Sequence, residues 1–396
     1  MRNHFFKRKI IFKSFTGIIL LCMLLVCSCQ SKKSSISNSS SQITDQFNQE
    51  SSIHHAVGFD LINFSDFKML HILRHSNETT DTMRFVFHEK GVIIPAKYSD
   101  FQRIEIPVAR IALLHSSYAS FFEFCEATDR IKAISEVKYV YNERIYAEAQ
   151  QGIMPEVGYG ESLDKEKLLE LGINLVITVG FPNTPNKSQQ MLKELGIPVL
   201  VFSDWQESTL LGRAEWVKVI AALTDADDLC NVKFTKIETE YARLKSLTTN
   251  LDKRPSIICN LPYKGSWYVP GGNSYVSHVL DDAGANYLWA DDEGTGGIQI
   301  DFEAVYAKGL KADFWINPDF AYKKEEIIAG DERLKDFLPM KTGKIYNNNN
   351  RVVRTSANDY WESGIINPDI ILADLIKLIH PELLPTHQLF YYRQVE

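Results

Sequence analysis

The chain has 396 residues, 45% of them hydrophobic, and carries a net charge of −7. This acidic balance, without any basic stripe, argues against nucleic acid as a partner. Of the six cysteines, only Cys125, Cys230 and Cys259 lie beyond residue 29. Three thiols are too few for a disulfide framework, although a single bridge stays open, and their spacing fits no metal motif. We therefore expect each of the three to be a core residue.

The N-terminus has the pattern of a secretory signal peptide over residues 1–28. Basic residues between Arg2 and Lys13 precede an apolar stretch from Ile18 to Val26. This stretch is roughly 10 residues long, whereas a membrane span needs about 20, which argues against the alternative of a transmembrane anchor. Residues 26–29, Val-Cys-Ser-Cys, resemble the bacterial lipoprotein box. The resemblance implies that Cys29 is acylated and anchors the protein to a membrane in the periplasm. Exposure on the cell surface is less favoured, because Gln-Ser-Lys-Lys follows Cys29 instead of acidic residues.

A flexible tether is expected over residues 29–55, and a small β extension over residues 56–104. The tether is rich in Ser, Gln and Asn and cannot bury enough surface to fold. The extension contains alternating runs such as FKMLHILRH and MRFVFHEKGVII. Such alternation predicts a small antiparallel sheet.

Residues 105–212 alternate between apolar strands and amphipathic helices. The predicted strands are RIALLHSS, IKAISE, INLVITVG and IPVLVF. Continuous apolar strands separated by helices predict a parallel sheet covered on both faces. Residues 213–250 then keep a helical apolar period and predict one connecting helix, with a break expected near Thr224–Asp227.

The same alternation restarts over residues 251–396. SIICNL and ADFWINP are predicted strands, and YVSHVLDDAG, DFEAVYAKGL and PDIILADLIKLIHPELL are predicted helices. The predicted fold class is α/β: two α/β lobes with mainly parallel sheets, joined by a long rigid helix and preceded by the β extension. A weak internal repeat between residues 164–180 and 301–318 places Glu166 and Glu303 at equivalent helix starts, where the helix dipole favours a carboxylate.

Five stretches, in order, resemble the periplasmic solute-binding proteins of ABC importers, specifically the iron-chelate and cobalamin class. They are AISEVKYVYN, VGYGESLDKEKLLELGINLVITVG, YVPGGNSYVSHVLDDAGANYLWAD, DFEAVYAKGLKADFWIN and NDYWESGIINPDIILADLIKLIHPELL. The resemblance covers about residues 105–385. It implies a monomeric, lipid-anchored receptor that captures an iron chelate of the siderophore or haem type, without a cofactor, and delivers it to an ABC permease and its ATPase. Two alternatives stay open: a cobalamin receptor of the same class, and an enzyme acting on a metal tetrapyrrole or chelate. No GxSxG, HExxH or P-loop motif supports the enzyme.

The resemblance also implies that the ligand lies between the lobes, at the carboxyl ends of the strands. Aromatic walls there suit a large planar or chelated ligand, with plain packing as the alternative for each ring. Gly271 and Gly272 are expected to let the backbone approach the ligand, with Asn273 and Ser274 capping the next helix. Ser116, Ser117 and Asn317 are polar candidates. The aromatic candidates are Tyr118, Tyr139, Tyr141, Tyr159, Phe181, Tyr263, Trp267, Tyr268, Trp315, Tyr360 and Trp361.

Members of the class dock onto the permease through one carboxylate on each lobe, and Glu166 and Glu303 match those positions. The alternative is that both are ordinary acids in the first turn of a helix. The histidines do not have the spacing of metal ligands, so no metal site is predicted. His115 is a minor candidate for an axial ligand to an iron or cobalt centre.

Overall fold

The computed structural model describes residues 52–75, 80–180, 187–354 and 356–396. The predicted signal peptide, Cys29, most of the tether and Phe181 therefore lie outside the described residues. Phe47–Glu396 forms one compact unit. Within the described residues, no helix is long and apolar enough to cross a bilayer.

The β extension is a four-stranded sheet in the order β1-β2-β3-β4. The strands are β1 Phe59–Asn63, β2 Phe67–His75, β3 Thr80–His88 and β4 Gln102–Glu105. The first three pair antiparallel, but β4 runs parallel to β3, so the sheet is mixed and not wholly antiparallel as the sequence predicted. Leu61, Leu70 and Phe85 of this sheet are buried in the core of the first lobe.

Two buried carboxylates fasten the chain just before this sheet. Glu215 accepts hydrogen bonds from the backbone N–H groups of residues 54–56 at 2.6–3.1 Å. Glu207 accepts those of residues 57 and 58 at 2.9 Å. The sequence placed residues 52–55 in the flexible tether, but this boundary was wrong for residues 54 and 55, because their N–H groups are bound to a buried charge.

The first lobe contains a four-stranded parallel sheet in the order β6-β5-β7-β8. Its strands are β5 Ile111–Leu113, β6 Ile131–Ile134, β7 Leu175–Val179 and β8 Val199–Phe202. Its helices are α1 Ala119–Phe124, α2 Glu143–Gln150, α3 Lys165–Glu170 and α4 Lys187–Glu194. Apolar clusters lie on both faces of this sheet, as continuous apolar strands require.

The predicted connecting helix is divided into α5 Leu210–Glu215, α6 Val217–Thr224 and α7 Asp227–Ser246. The break lies within the expected stretch, at Asp225, which adopts a left-handed conformation with φ of 62°. All residues of α6 are buried, whereas α7 extends from one lobe to the other. Its 20 residues span about 30 Å, with Phe234 in the core of the first lobe and Leu244 in that of the second.

The second lobe is built on a five-stranded sheet in the order β12-β9-β14-β15-β18, in which only β18 is antiparallel. Its strands are β9 Ser256–Cys259, β12 Asn286–Tyr287, β14 Phe314–Ile316, β15 Ile345–Asn347 and β18 Arg393–Gln394. Two small antiparallel sheets lie beside it, one of β10 Pro262–Tyr263, β11 Ser266–Pro270 and β13 Gly297–Asp301, the other of β16 Val352–Val353 and β17 Ala357–Asn358. The helices are α8 Tyr275–Asp282, α9 Phe302–Gly309, α10 Lys324–Gly330, α11 Leu338–Thr342 and α12 Pro368–Ile379.

The aromatic C-terminal tail completes this lobe. The buried Asp374 carboxylate of α12 accepts the backbone N–H groups of residues 390–392 at 2.7–3.1 Å. Tyr391 and Tyr392 are buried, and the chain then adds β18 to the edge of the sheet. The predicted fold class, two α/β lobes with a β extension, is confirmed.

Candidate functional site

A cleft between the lobes contains two adjoining cavities of about 620 and 610 Å³. The first is lined mainly by the first lobe and the second mainly by the second lobe. Both are lined by Trp205, Tyr275, Phe320, Asn358 and Trp361, so the cavities form one continuous space. Ligand sites commonly measure about 300–1,000 Å³. The joined cleft therefore has room for a bulky organic ligand.

The carboxyl ends of the parallel strands build this cleft. In the first lobe, lining residues in segment 114–118 directly follow β5, and those in segment 135–139 directly follow β6. Residues 204–205 begin one residue after the end of β8. In the second lobe, residues 260–261 follow β9 and residues 317–320 follow β14. The cleft therefore lies where open parallel sheets generally bind ligands.

Exposed aromatic rings are concentrated in the cleft. Among the described residues, six aromatic side chains are exposed, by 41% to 76%, and all six line the cavities. They are Tyr139, Tyr159, Tyr263, Tyr268, Phe320 and Trp361. Folding leaves large rings in water only at a cost, so this concentration makes the cleft the candidate recognition surface.

Two predicted ligand contacts, Trp267 and Trp315, lie outside the cleft. Both are fully buried and pack against each other in a tilted arrangement, with 5.7 Å between ring centroids. The indole of Trp267 donates to the carbonyl oxygen of Cys259 at 2.9 Å, and that of Trp315 to the carbonyl of Asn260 at 2.8 Å. Successive side chains of a strand alternate in direction, so β11 places Trp267 in the core and Tyr268 in the cleft.

Three other predicted tyrosines have less access to a ligand. Tyr118 lines the first cavity but is 1% exposed, and its hydroxyl donates to Asp204 at 2.8 Å. Tyr360 lines the second cavity and is buried, and burial raises its pKa. Tyr141 is half-buried and lines neither cavity. Ligand contact by Tyr141 is therefore not supported by the geometry.

The glycines before α8 have a different role from the one that the sequence predicted. A Cβ on Gly271 would lie 2.2 Å from the carbonyl oxygen of Gly294, and one on Gly272 would lie 2.2 Å from that of Asp292. These glycines therefore admit a neighbouring loop and not a ligand. Ser274 caps α8 as expected, because its hydroxyl accepts the N–H of Ser277 at 3.3 Å.

A buried ion pair lies beneath the first cavity. Arg213 donates to Asp204 at 3.0 Å, and its guanidinium lies 4.2 Å from the ring centroid of Tyr275. Burial lowers the pKa of the neighbouring His115, with Arg213 contributing and Asp204 opposing. The lowered pKa favours the neutral imidazole at neutral pH, and within the described residues its Nδ1 atom has no hydrogen-bond partner.

Glu362 connects the second lobe to the first across the cleft. Its two carboxylate oxygens accept the backbone N–H groups of Tyr141 and Asn142 at 2.7 and 2.8 Å. Burial raises the pKa of Glu362 to about 8, although these two hydrogen bonds oppose the shift. Ile365 and Ile366 follow it into the core of the first lobe. The lobes are thus joined by this segment as well as by α7.

The two predicted docking acids are exposed residues in the first turns of α3 and α9. Glu166 lies seven residues after the cleft residue Tyr159, and Glu303 six after the cleft residue Gly297. Glu303 accepts a hydrogen bond from Arg333 at 2.7 Å. Such an exposed pair contributes little stability, so it does not prevent Glu303 from exchanging partners.

Within the described ranges, no group of three or more His, Cys, Asp or Glu residues is placed to hold a metal ion. Cys125, Cys230 and Cys259 are buried free thiols. A separate cavity of about 780 Å³ lies beside β1, β2 and α7 and is lined by charged residues such as Lys68 and Asp227, which pair at 2.6 Å. None of the six exposed rings lines it.

Three further aromatic residues line the cleft although the sequence did not predict them: Trp205, Tyr275 and Phe320. Phe320 comes two residues after the predicted strand ADFWINP, a position at which the strand-end rule could have identified it. Trp205 comes three residues after the predicted strand IPVLVF, and its indole donates to the carbonyl of Gly180 at 2.8 Å. No local signal distinguishes Tyr275, which lies at the start of α8.

Comparison with known proteins agrees with this geometry. Residues 111–350, more than half of the chain, match the family model described as periplasmic binding protein. An uncharacterized lipoprotein of Methanocaldococcus jannaschii is 25% identical, with 76% of this chain and 73% of that protein covered. A periplasmic haem-binding protein of Pseudomonas aeruginosa has a TM-score of 0.55 at 13% identity, covering 73% and 98% of the two chains. A possible iron-binding (periplasmic solute-binding) protein of Staphylococcus epidermidis has a TM-score of 0.52 at 16% identity, covering 69% and 98%. The solved structures show the shared fold, and the family match shows that this chain belongs to the periplasmic binding protein family.

Proposed function

We propose that the protein is a lipid-anchored receptor that captures a metal chelate in the interlobe cleft and delivers it to an ABC permease. The observation that carries the proposal is the set of six exposed rings lining the cleft. Flat aromatic surfaces suit ligands with large planar or apolar areas. The names of the haem-binding and iron-binding structural neighbours support a chelated metal as cargo, and the lipoprotein relative supports the anchor.

The ionisable groups of the cleft support a receptor better than an enzyme. Asp204 is bound by Arg213 and Tyr118, and Glu362 is bound by two backbone N–H groups. Each of these groups thus has a structural partner that competes with any role in proton transfer. Among the described residues, the Nδ1 atom of His115 has no hydrogen-bond partner that would orient the imidazole as a base.

Delivery to the permease would use Glu166 and Glu303, one on each lobe. Paired carboxylates would meet arginines on the membrane protein and orient the receptor, because charge complementarity mainly sets specificity and encounter rate. We expect the double variant Glu166→Ala/Glu303→Ala to keep ligand affinity but to lose stimulation of the permease ATPase and uptake.

Glu170 and Glu325 provide the matched control, because they are also exposed helix acids, one on each lobe. Glu170→Ala/Glu325→Ala should support normal uptake at equal expression. Normal uptake by the Glu166/Glu303 variant would refute the docking assignment. Turnover of the chelate by the purified protein would refute the receptor role.

A further inference from the structure

The charges lining the cleft are unbalanced. Among the described lining residues, four carry carboxyl groups, and Arg213 alone carries a basic group that is charged at neutral pH. The four acids are Glu136, Asp204, Asp319 and Glu362. An anionic ligand entering this space would meet more negative than positive charge.

The single guanidinium is not available to a ligand anion. Arg213 is 6% exposed, forms two hydrogen bonds with Asp204 at 3.0 and 3.3 Å, and stacks on Tyr275. A buried pair with both partners satisfied has no charge left to neutralise another group. This pair therefore balances Asp204. Of the other acids, Glu362 is mainly protonated at neutral pH, because burial raises its pKa to about 8.

Two lysines lie over rings of the cleft without lining the cavities. The ammonium of Lys138 lies 4.7 Å from the ring centroid of Tyr139 and 3.1 Å from Glu136. The ammonium of Lys264 lies 5.0 Å from the centroid of Tyr263. Neither lysine lines the cleft cavities.

Asp319 is the carboxylate most exposed to a ligand. It lines the second cavity beside Phe320, and its carboxylate has no ion-pair partner among the described residues. Desolvation raises its pKa, which means that a nearby cation or hydrogen-bond donor would stabilise its charged form.

Two asparagines that line the second cavity have enclosed acceptor oxygens without donors among the described residues. The side-chain carbonyl oxygens of Asn317 and Asn349 are enclosed and have no hydrogen-bond partner within the described residues, and both residues line this cavity. An enclosed acceptor without a partner costs free energy that a donor would recover. A small shift of either side chain on binding would bring its oxygen to a ligand N–H or O–H group.

We propose that the cleft selects a chelate without net negative charge, whose rim carries N–H or O–H donors such as amides instead of carboxylates. This inference rests on the proposed function and restricts the expected class of chelate. Because the charge of Asp319 has no partner among the described residues, it would repel a carboxylate or catecholate rim. Amide N–H groups would instead donate to the side-chain oxygens of Asn317 and Asn349.

The test compares chelates that differ mainly in the charge of their rims. The processed lipoprotein in detergent is titrated by calorimetry with dicyanocobinamide and dicyanocobyrinic acid, which share a cobalt corrin but carry amide and carboxylate rims, respectively. A ferric trihydroxamate and a ferric tricatecholate form the iron pair. In the pair that binds, we expect the uncharged or cationic member to bind at least about tenfold more tightly than the anionic member. The difference would come from repulsion of the anionic rim by one unbalanced carboxylate, Asp319, at close range.

Equal or tighter binding of the anionic member would overturn this inference while leaving the receptor function intact. Failure of all four chelates to bind the folded protein would count against both. Asp319→Asn should bring the ratio of affinities at least threefold closer to one, and Asn tolerates the left-handed φ of 52° at this position. Glu325→Gln, an exposed acid outside the cleft, should leave the ratio unchanged. An unchanged ratio in Asp319→Asn would remove the electrostatic basis of the inference.

Discussion

Trp267 and Tyr268 are neighbours on β11, yet the structure predicts opposite results when each is replaced by alanine. Trp267 is fully buried among Phe302, Trp315 and Phe337, with centroid distances of 5.7–6.0 Å. Tyr268 is 47% exposed and lines the second cavity. Truncating the first removes core packing, whereas truncating the second removes a surface offered to the ligand.

The magnitudes follow from these environments. Trp267→Ala should lower the free energy of unfolding by about 3–5 kcal/mol, the usual cost of a large aromatic cavity, and it also leaves the carbonyl of Cys259 without its donor. Tyr268→Ala should change stability by less than about 1 kcal/mol. It should weaken chelate binding by about 1–3 kcal/mol, or roughly 5- to 150-fold, as expected for an aromatic contact.

Urea unfolding followed by circular dichroism measures the first quantity, and calorimetric titration with the chelate that co-purifies with the protein measures the second. The reasoning would be refuted if Tyr268→Ala destabilised the fold as much as Trp267→Ala. It would also be refuted if Tyr268→Ala bound the chelate with unchanged affinity.

Three further predictions concern the anchor, the N-terminal attachment and pH. Cys29→Ala should accumulate as unprocessed precursor on an immunoblot. The predicted cleavage site would be contradicted if Cys29→Ala were processed normally while Cys27→Ala accumulated as precursor. Glu215→Ala should cost about 3–5 kcal/mol in urea unfolding, because three N–H groups and the ammonium of Lys218 lose a buried partner; a loss below about 1 kcal/mol would contradict this. Because burial raises the pKa of Glu362 from 4.5 to about 8, the stabilisation from its protonated form is complete below pH 4.5 and is lost as the pH rises through 8. The free energy of unfolding should therefore fall by roughly 2–4 kcal/mol between pH 5 and 9 in the native protein, and by less in Glu362→Gln. An equal pH dependence of the two proteins would argue against a raised pKa of Glu362.

The two lobes could be predicted because their signals are local. Continuous apolar strands such as β7 and β8, each separated by a helix, define a parallel sheet without knowledge of its partners. The break at Asp225 was also predictable, since the sequence around it weakens the helical pattern. The parallel pairing of β4 was not, because the direction of an edge strand depends on its connection and on packing against the first lobe.

The cleft rings were only partly predictable for a similar reason. Strand ends identify the loops that line a cleft, and this rule places Tyr139 and Tyr263 there. Alternation shows that Trp267 and Tyr268 face opposite sides of β11, but which side is the core depends on pairing with β13 and packing by α9. Ligand contact by the cleft rings stays a prediction.

The attachment of the N-terminal segment had no sequence signal. Glu207 and Glu215 resemble surface acids in a helical region, yet their partners are backbone groups about 150–160 positions away. A backbone N–H group is the same in every residue except proline, so no residue pattern predicts such a contact.

Native mass spectrometry of the protein purified from its own organism tests the central claim most directly. We expect a bound species containing iron or cobalt, present at near-equal stoichiometry, released on denaturation and largely lost in a Phe320→Ala/Trp361→Ala variant that keeps the native unfolding midpoint. A metal-free protein from cells grown with the chelates available, or a chelate retained equally by that variant, would contradict binding in the aromatic cleft.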